Sequence, residues 1–151
     1  MAQGSFTAQI NAWVEETKER KEAVRKGSAQ AIIDLMQTTR DQGGNLRFDT
    51  GFLRSSLVVT TSNALPPIQF KPDGVERFTY DAAATSLVIA GAGPSDPITA
   101  VYAANYARPR EYGSRGQPGD RWVALAAQRW QQVVNEEAAK AQASVESRQR
   151  G

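Results

Sequence analysis

Between Phe48 and Leu57 the chain changes its repeat, and this limits the folds open to it more than any other feature. Upstream, Phe6, Ile10, Trp13, Val14, Val24, Ala31, Ile32, Leu35 and Met36 recur at helical spacing. Downstream, Leu57-Val58-Val59-Thr60-Thr61 is β-branched and extended in character. Asp41-Gln42-Gly43-Gly44-Asn45 separates the two regimes, and the glycine pair stops the helix. A helix that gives way to strands in so few residues, with further helices behind it, predicts an α+β fold.

The first helix is predicted from Ser5, whose hydroxyl suits an N-cap, to Arg40. Its middle, Glu15-Glu16-Thr17-Lys18-Glu19-Arg20-Lys21-Glu22, is polar on every face and unsuited to full burial. The C-terminal half therefore packs on the body, and residues 1–26 project from it. Trp13 lies on the projecting half, where an exposed indole would anchor a partner. Gly27-Ser28 marks a point where the helix could bend or divide.

Beyond Leu57–Thr61, Ile68–Lys71 and Val75–Tyr80 flank Pro72-Asp73-Gly74, a turn sequence, and predict an exposed hairpin carrying Phe70 and Phe78. Ser86–Ala90 reads as the second core strand and Ile98–Ala107 as a short helix. A polar loop from Arg108 to Gly119 follows. Asp120 is expected to cap a long helix ending near Ser147, with Trp122 and Trp130 on its apolar face. The expected architecture is one domain over residues 1–147 and a short tail, 148–151. It comprises a long N-terminal helix, a small, mostly antiparallel sheet with an exposed hairpin, a short middle helix and a long C-terminal helix.

Composition narrows the chemistry. The 151 residues include no histidine and no cysteine. Ser-His and Cys-His nucleophiles, disulfides and ordinary zinc sites are thereby excluded. Carboxylates, lysine, tyrosine and hydroxyls remain, and the residues call for no cofactor and no metal. The net charge of +2 is too small to argue for nucleic-acid binding by itself. No apolar run approaches a membrane span, and Met1–Ser5 lack the regions of a signal peptide, so the chain is expected to be made in the cytosol.

Three motifs compete for a function. Asp49-Thr50-Gly51 is the tripeptide of aspartic peptidases, which a chain this short would use as a homodimer. Its flanks, Phe48 and Phe52-Leu53-Arg54, instead suit a helix start capped by Asp49 or Thr50. Gly91-Ala92-Gly93 lacks the further glycine and lysine of a phosphate loop and reads as a connection. Arg108, Arg110, Arg115 and Arg121, interleaved with Tyr106 and Tyr112, form either a partner-contact loop or a small DNA-binding patch.

The order of the motifs resembles the neck or tail-completion proteins of long-tailed bacteriophages, also described as head–tail connector or minor tail components. The likeness rests on Asp49-Thr50-Gly51-Phe52-Leu53-Arg54-Ser55-Ser56, then Leu87–Ala90, Tyr102-Ala103, Glu111-Tyr112-Gly113, Gln117-Pro118 and Trp122 to Val134. It spans roughly residues 5 to 135. Ser62–Thr85 and Ala104–Arg110 are longer than the family's pattern. The resemblance implies a non-enzymatic virion part that assembles in the host cytoplasm. It would form a self-associated ring, commonly six-fold, between a portal and connector or stopper stack and a tail terminator or tail tube. Basic side chains facing the channel would meet genomic DNA without reading its sequence. Asp49, Thr50, Gly51, Leu53, Arg54, Ser56, Tyr102, Glu111, Gly113 and Pro118 would be its structural motif. Trp13, Phe70, Phe78, Arg108, Arg110, Tyr112 and Arg115 would be its contact residues.

Overall fold

A computed structural model describes residues 6–150; Ser5, the expected cap, lies outside them. Helix α1 runs unbroken from Phe6 to Met36. Gly27 does not divide it: a side chain there would meet Glu137 of the last helix, so the glycine admits a close neighbour. After a 3-10 turn at Arg40–Gln42, the glycine-rich break folds back, and Leu46 N–H donates to the Thr38 carbonyl. Leu46 is fully buried and plugs the end of the core.

The Asp-Thr-Gly stretch does start a helix. The single turn α2, Phe52–Ser55, follows Gly51 at φ 86°. Thr50, not Asp49, supplies the side-chain acceptor, taking the Phe52 N–H at 3.3 Å. Strand β1, Leu57–Thr60, follows with Leu57 and Val59 turned into the core.

Two expected elements exchange identity. Ser86–Ala90 is the C-terminal half of helix α3, Ala82–Ala90, whose first turn is capped by the Asp81 carboxylate accepting from Ala84 N–H at 3.0 Å. The alanines behind Asp81 favour a helix over a strand. The second strand is β2, Thr99–Tyr102, inside the segment expected to be helical. Its β-branched and aromatic residues, just beyond Pro97, suit extended backbone. β1 and β2 pair antiparallel with Leu57 opposite Tyr102 and Thr60 opposite Thr99.

The predicted hairpin at 68–80 is not formed. Pro72-Asp73-Gly74 does turn, with Gly74 at φ 78°, but no strand flanks it. Gln69 instead donates to the Ala103 carbonyl and accepts from Asn105 N–H, and Phe78 N–H donates to the Thr50 carbonyl.

The polar segment after Tyr106 also departs from expectation. Ala107–Tyr112 form helix α4, with Pro109 in its first turn, where no N–H is needed. Gly113–Ser114 (β3) and Gln117–Pro118 (β4) make a minimal hairpin. Arg115 and Gly116 form its turn, both at positive φ, as the twist of a two-residue connection requires.

The C-terminal helix is divided into α5, Trp122–Ala127, and α6, Trp130–Arg150, so backbone helix includes 148–150 of the expected tail. Trp122 is buried, whereas Trp130 is 46% exposed and is not the core residue its spacing suggested. α6 runs antiparallel along α1: Gly27 lies opposite Glu137, and Thr17 shares a groove with Val145. From Glu16 onward α1 is thus half of a helical pair. The core sits at the other end, where Ile33, Met36, Phe52, Leu57, Ile89 and Trp122 meet. The α+β architecture is as expected, reached with two elements exchanged. Among the described residues no helix is long and apolar enough to cross a membrane.

Candidate interaction surfaces

The motif residues fall into two clasps. In the first, Gln37 at the end of α1 and Arg54 of α2 bond reciprocally: Gln37 Nε2 donates to the Arg54 carbonyl and Arg54 Nε to the Gln37 carbonyl, each at 2.9 Å. Tyr102 of β2 completes the clasp, its hydroxyl donating to Gln37 Oε1 at 2.6 Å. Arg54 also lies over the Tyr80 ring, 5.2 Å from its centroid. Ser56, fully buried, donates to the Leu53 carbonyl at 2.7 Å and ends α2. Burial raises the Tyr102 hydroxyl above its ordinary pKa.

The second clasp joins α4 to α5. The Glu111 carboxylate, 6% exposed, accepts from Val123 N–H at 3.0 Å and Ala124 N–H at 2.8 Å. A buried carboxylate is costly unless donors meet it, and the open amides of a helix start are such donors. Glu111, not the expected Asp120, is therefore the side chain that caps this helix. Gly113 and Gly119 let the β3–β4 hairpin fold close to the Glu111 backbone, leaving no room for a side chain at 119. Asp120 instead receives Arg40 at 2.9 Å and Arg47 at 2.8 Å, tying the loop after α1 to the start of α5.

Asp49 is exposed on the rim of a cleft of about 840 Å³ with Arg40, Arg47, Lys71 and Arg110. Asp41 lines the same cleft, so four cations and a second carboxylate surround Asp49. Among the described residues no group of three or more carboxylates could hold a metal ion.

The expected arginine patch is dispersed. Arg108 lines a groove with Tyr112 and Trp122, Arg110 faces the Asp49 cleft, and Arg115 stands at the hairpin tip. All three are exposed, as is Tyr112. Arg40, Arg47 and Lys71, missed in the sequence because they come from distant segments, join Arg110 instead.

The apolar contact candidates separate as well. Phe78 turns inward onto Phe52, ring centroids 5.1 Å apart, and belongs with the core rather than with a partner. Phe70 is 72% exposed and Trp13 63% exposed. Each has exposed apolar residues near it in the chain: Leu65 and Ile68 before Phe70, and Phe6 and Ile10 on the face of Trp13. The alternation of Ile68 and Phe70 with Gln69 and Lys71 was the signal for the first set.

Comparison with protein-family models, curated proteins and solved structures returns no match.

Proposed function

We propose that this chain is a structural virion protein, a ring subunit at the head–tail junction of a tailed phage that joins the connector stack to the tail tube. The observation that carries the reading is the presence of two unlike apolar surfaces on one small domain. One is the face of α1 bearing Phe6, Ile10 and Trp13; the other is the tethered segment bearing Leu65, Ile68 and Phe70. Large exposed apolar groups gathered in patches mark contact sites on soluble domains. A ring needs two different faces, because each copy meets one neighbour with one face and the next neighbour with another. The two layers of a neck add further contacts above and below.

The motif residues support the same reading. Arg54, Ser56, Tyr102 and Glu111 are occupied in clasps that hold helices to strands, so they act as framework rather than as reacting groups. The self-associated ring, commonly six-fold, would take connector and portal proteins on one side and tail terminator or tail tube on the other. Lys71 and Arg110, in the cleft that Asp41 and Asp49 also line, would touch passing DNA through its phosphates wherever the cleft faces the channel.

Light scattering and negative-stain microscopy of the purified protein, alone and with tail tube protein, test the reading. Closed rings, formed alone or on the tube, are expected. A monomer in both conditions, together with infectious particles assembled without this gene, would overturn it.

A further inference from the structure

The cleft around Asp49 combines a fixed aromatic ring with unpaired cations. Phe48, which lines it, is 57% exposed. The ring is nevertheless held. Gly51, at φ 86°, has no side chain, and a Cβ there would lie 3.0 Å from Cε2 and 3.2 Å from Cζ of Phe48. One edge of the ring therefore rests on the Gly51 backbone while the rest stays in water. Such a ring offers contact area with little freedom left to lose.

Lys71 and Arg110 line the same cleft; both are exposed, and neither has an ion-pair partner among the described residues. Arg40 and Arg47 share the one carboxylate of Asp120, so a positive charge remains between them. Asp41 and Asp49 oppose these cations, and Asp41 already accepts from the Thr39 hydroxyl. Four cations against three carboxylates leave the site positive, with Asp49 keeping oxygens free to accept. Burial raises the pKa of the Tyr106 hydroxyl, and the opposed charges of Arg110 and Asp49 both reach it, so these side chains converge. The volume of about 840 Å³ falls within the roughly 300–1,000 Å³ of small-molecule sites.

We propose that this cleft binds an unpaired nucleotide, its base stacked on Phe48 and its phosphate on Lys71 and Arg110. Each part of the site has its counterpart in that ligand. Every base has a π face, and stacking on an aromatic side chain tolerates any sequence. Phosphate suits an unpaired lysine and an unpaired arginine, the arginine through two parallel N–H groups. Sugar hydroxyls and base amino groups are donors, which the Asp49 carboxylate accepts. The inference goes beyond the ring reading, in which the cleft meets only duplex phosphates. The bases of a duplex stack on one another and leave no face for Phe48. A free nucleotide and a single strand present the same chemistry.

Fluorescence anisotropy of an end-labelled oligodeoxythymidine, titrated with the protein at low salt, tests the site. Unlabelled thymidine monophosphate, duplex DNA and inorganic pyrophosphate serve as competitors. The single strand is expected to bind, with duplex and pyrophosphate competing poorly. Phe48→Ala should weaken binding roughly tenfold or more, as the loss of one stacked base does, and Phe48→Tyr should retain it. Trp13→Ala, which removes an exposed ring outside the cleft, should leave it unchanged. Lys71→Ala and Arg110→Ala should each lower the slope of affinity against salt by about one. Lys71 is exposed, so its variant reads the site independently of any loss of folding in Phe48→Ala. Competition by thymidine monophosphate identifies free nucleotide as the source and its failure identifies the strand; both support the site. Absence of binding at low salt, Phe48→Ala binding like the parent protein, or duplex and pyrophosphate competing as well as the single strand overturns it. Rings that assemble in any of those cases leave the ring reading standing.

Discussion

Glu111 has its carboxylate buried and both oxygens committed to the first amides of α5. Its replacement removes a cap and exposes two helix-terminal donors to a dry site. Glu111→Ala should cost about 2 kcal/mol in urea unfolding, at the upper end for a lost cap, and Glu111→Gln less because one acceptor oxygen survives. Gly51 answers to sterics rather than charge. Its φ of 86° and the Phe78 carbonyl 2.5 Å from where a Cβ would lie both oppose a side chain. Gly51→Ala should therefore destabilise by about 2 kcal/mol or more by the same measurement. Tyr102 acts through a proton. Burial raises its pKa above the ordinary value of about 10, so above that pH the unfolded chain loses a proton that the folded chain keeps. The contribution of this group is complete below about pH 10 and declines as the pH rises towards the folded value. Tyr106 is raised in the same direction by burial and adds to the decline. Stability measured from about pH 10 to 12 should fall less steeply in Tyr102→Phe, by up to about 1.4 kcal/mol per pH unit, although the variant starts lower for want of the Gln37 bond.

Helix α3 depends on a local signal that a longer apolar run obscures. Asp81→Ala should cost about 1 kcal/mol and speed amide exchange across Ala82–Ala90 before it affects β1. The same segment shows what could be read in advance. Asp81 followed by three alanines is a helix start, but Leu87-Val88-Ile89 suits a strand equally well, and a short apolar run does not decide between them. Thr99–Tyr102 reads as helix for the converse reason: Ala100 within it and Ala103-Ala104 behind it lend a β-branched core the look of a helix. The long helix α1, the α2 turn and β1 were legible because propensity and period agree there, although α1 stops at Met36 rather than Arg40 and Gly43 closes the 3-10 turn instead of α1. Glu111 was legible as a motif residue, but its partners at Val123 and Ala124 were not. They come within reach only after α4 turns and the β3–β4 hairpin folds back. The cationic cleft escaped for the same reason, since Arg40, Lys71 and Arg110 lie far apart in sequence. Phe70 and Phe78 carried similar sequence signals, and the tie from Phe78 to Thr50 sent one ring inward while the other stayed in water.

At the scale of the molecule, the exposed groups sort by chemistry as well as by place. Exposed apolar groups gather on the α1 face of Trp13 and around Phe70, whereas the Asp49 cleft carries Arg40, Arg47, Lys71 and Arg110 beside Asp41 and Asp49. Salt acts on the two in opposite senses. Screening weakens contacts between exposed charges, and a cleft that holds phosphates also loses the gain from released counterions. Apolar burial has no such dependence and is favoured by salts excluded from the protein surface. Association of copies should therefore hold or tighten when salt is raised from about 0.05 M to 0.5 M, and sulfate should favour it over chloride. Retention on duplex DNA, if the cleft meets phosphates, should disappear over the same range. Sedimentation at both ionic strengths, with and without DNA, reads the two effects separately. Copies that part as salt rises would mean that charge rather than Phe70 and its apolar neighbours holds them, and Arg40 and Arg110 would then be the residues to change next.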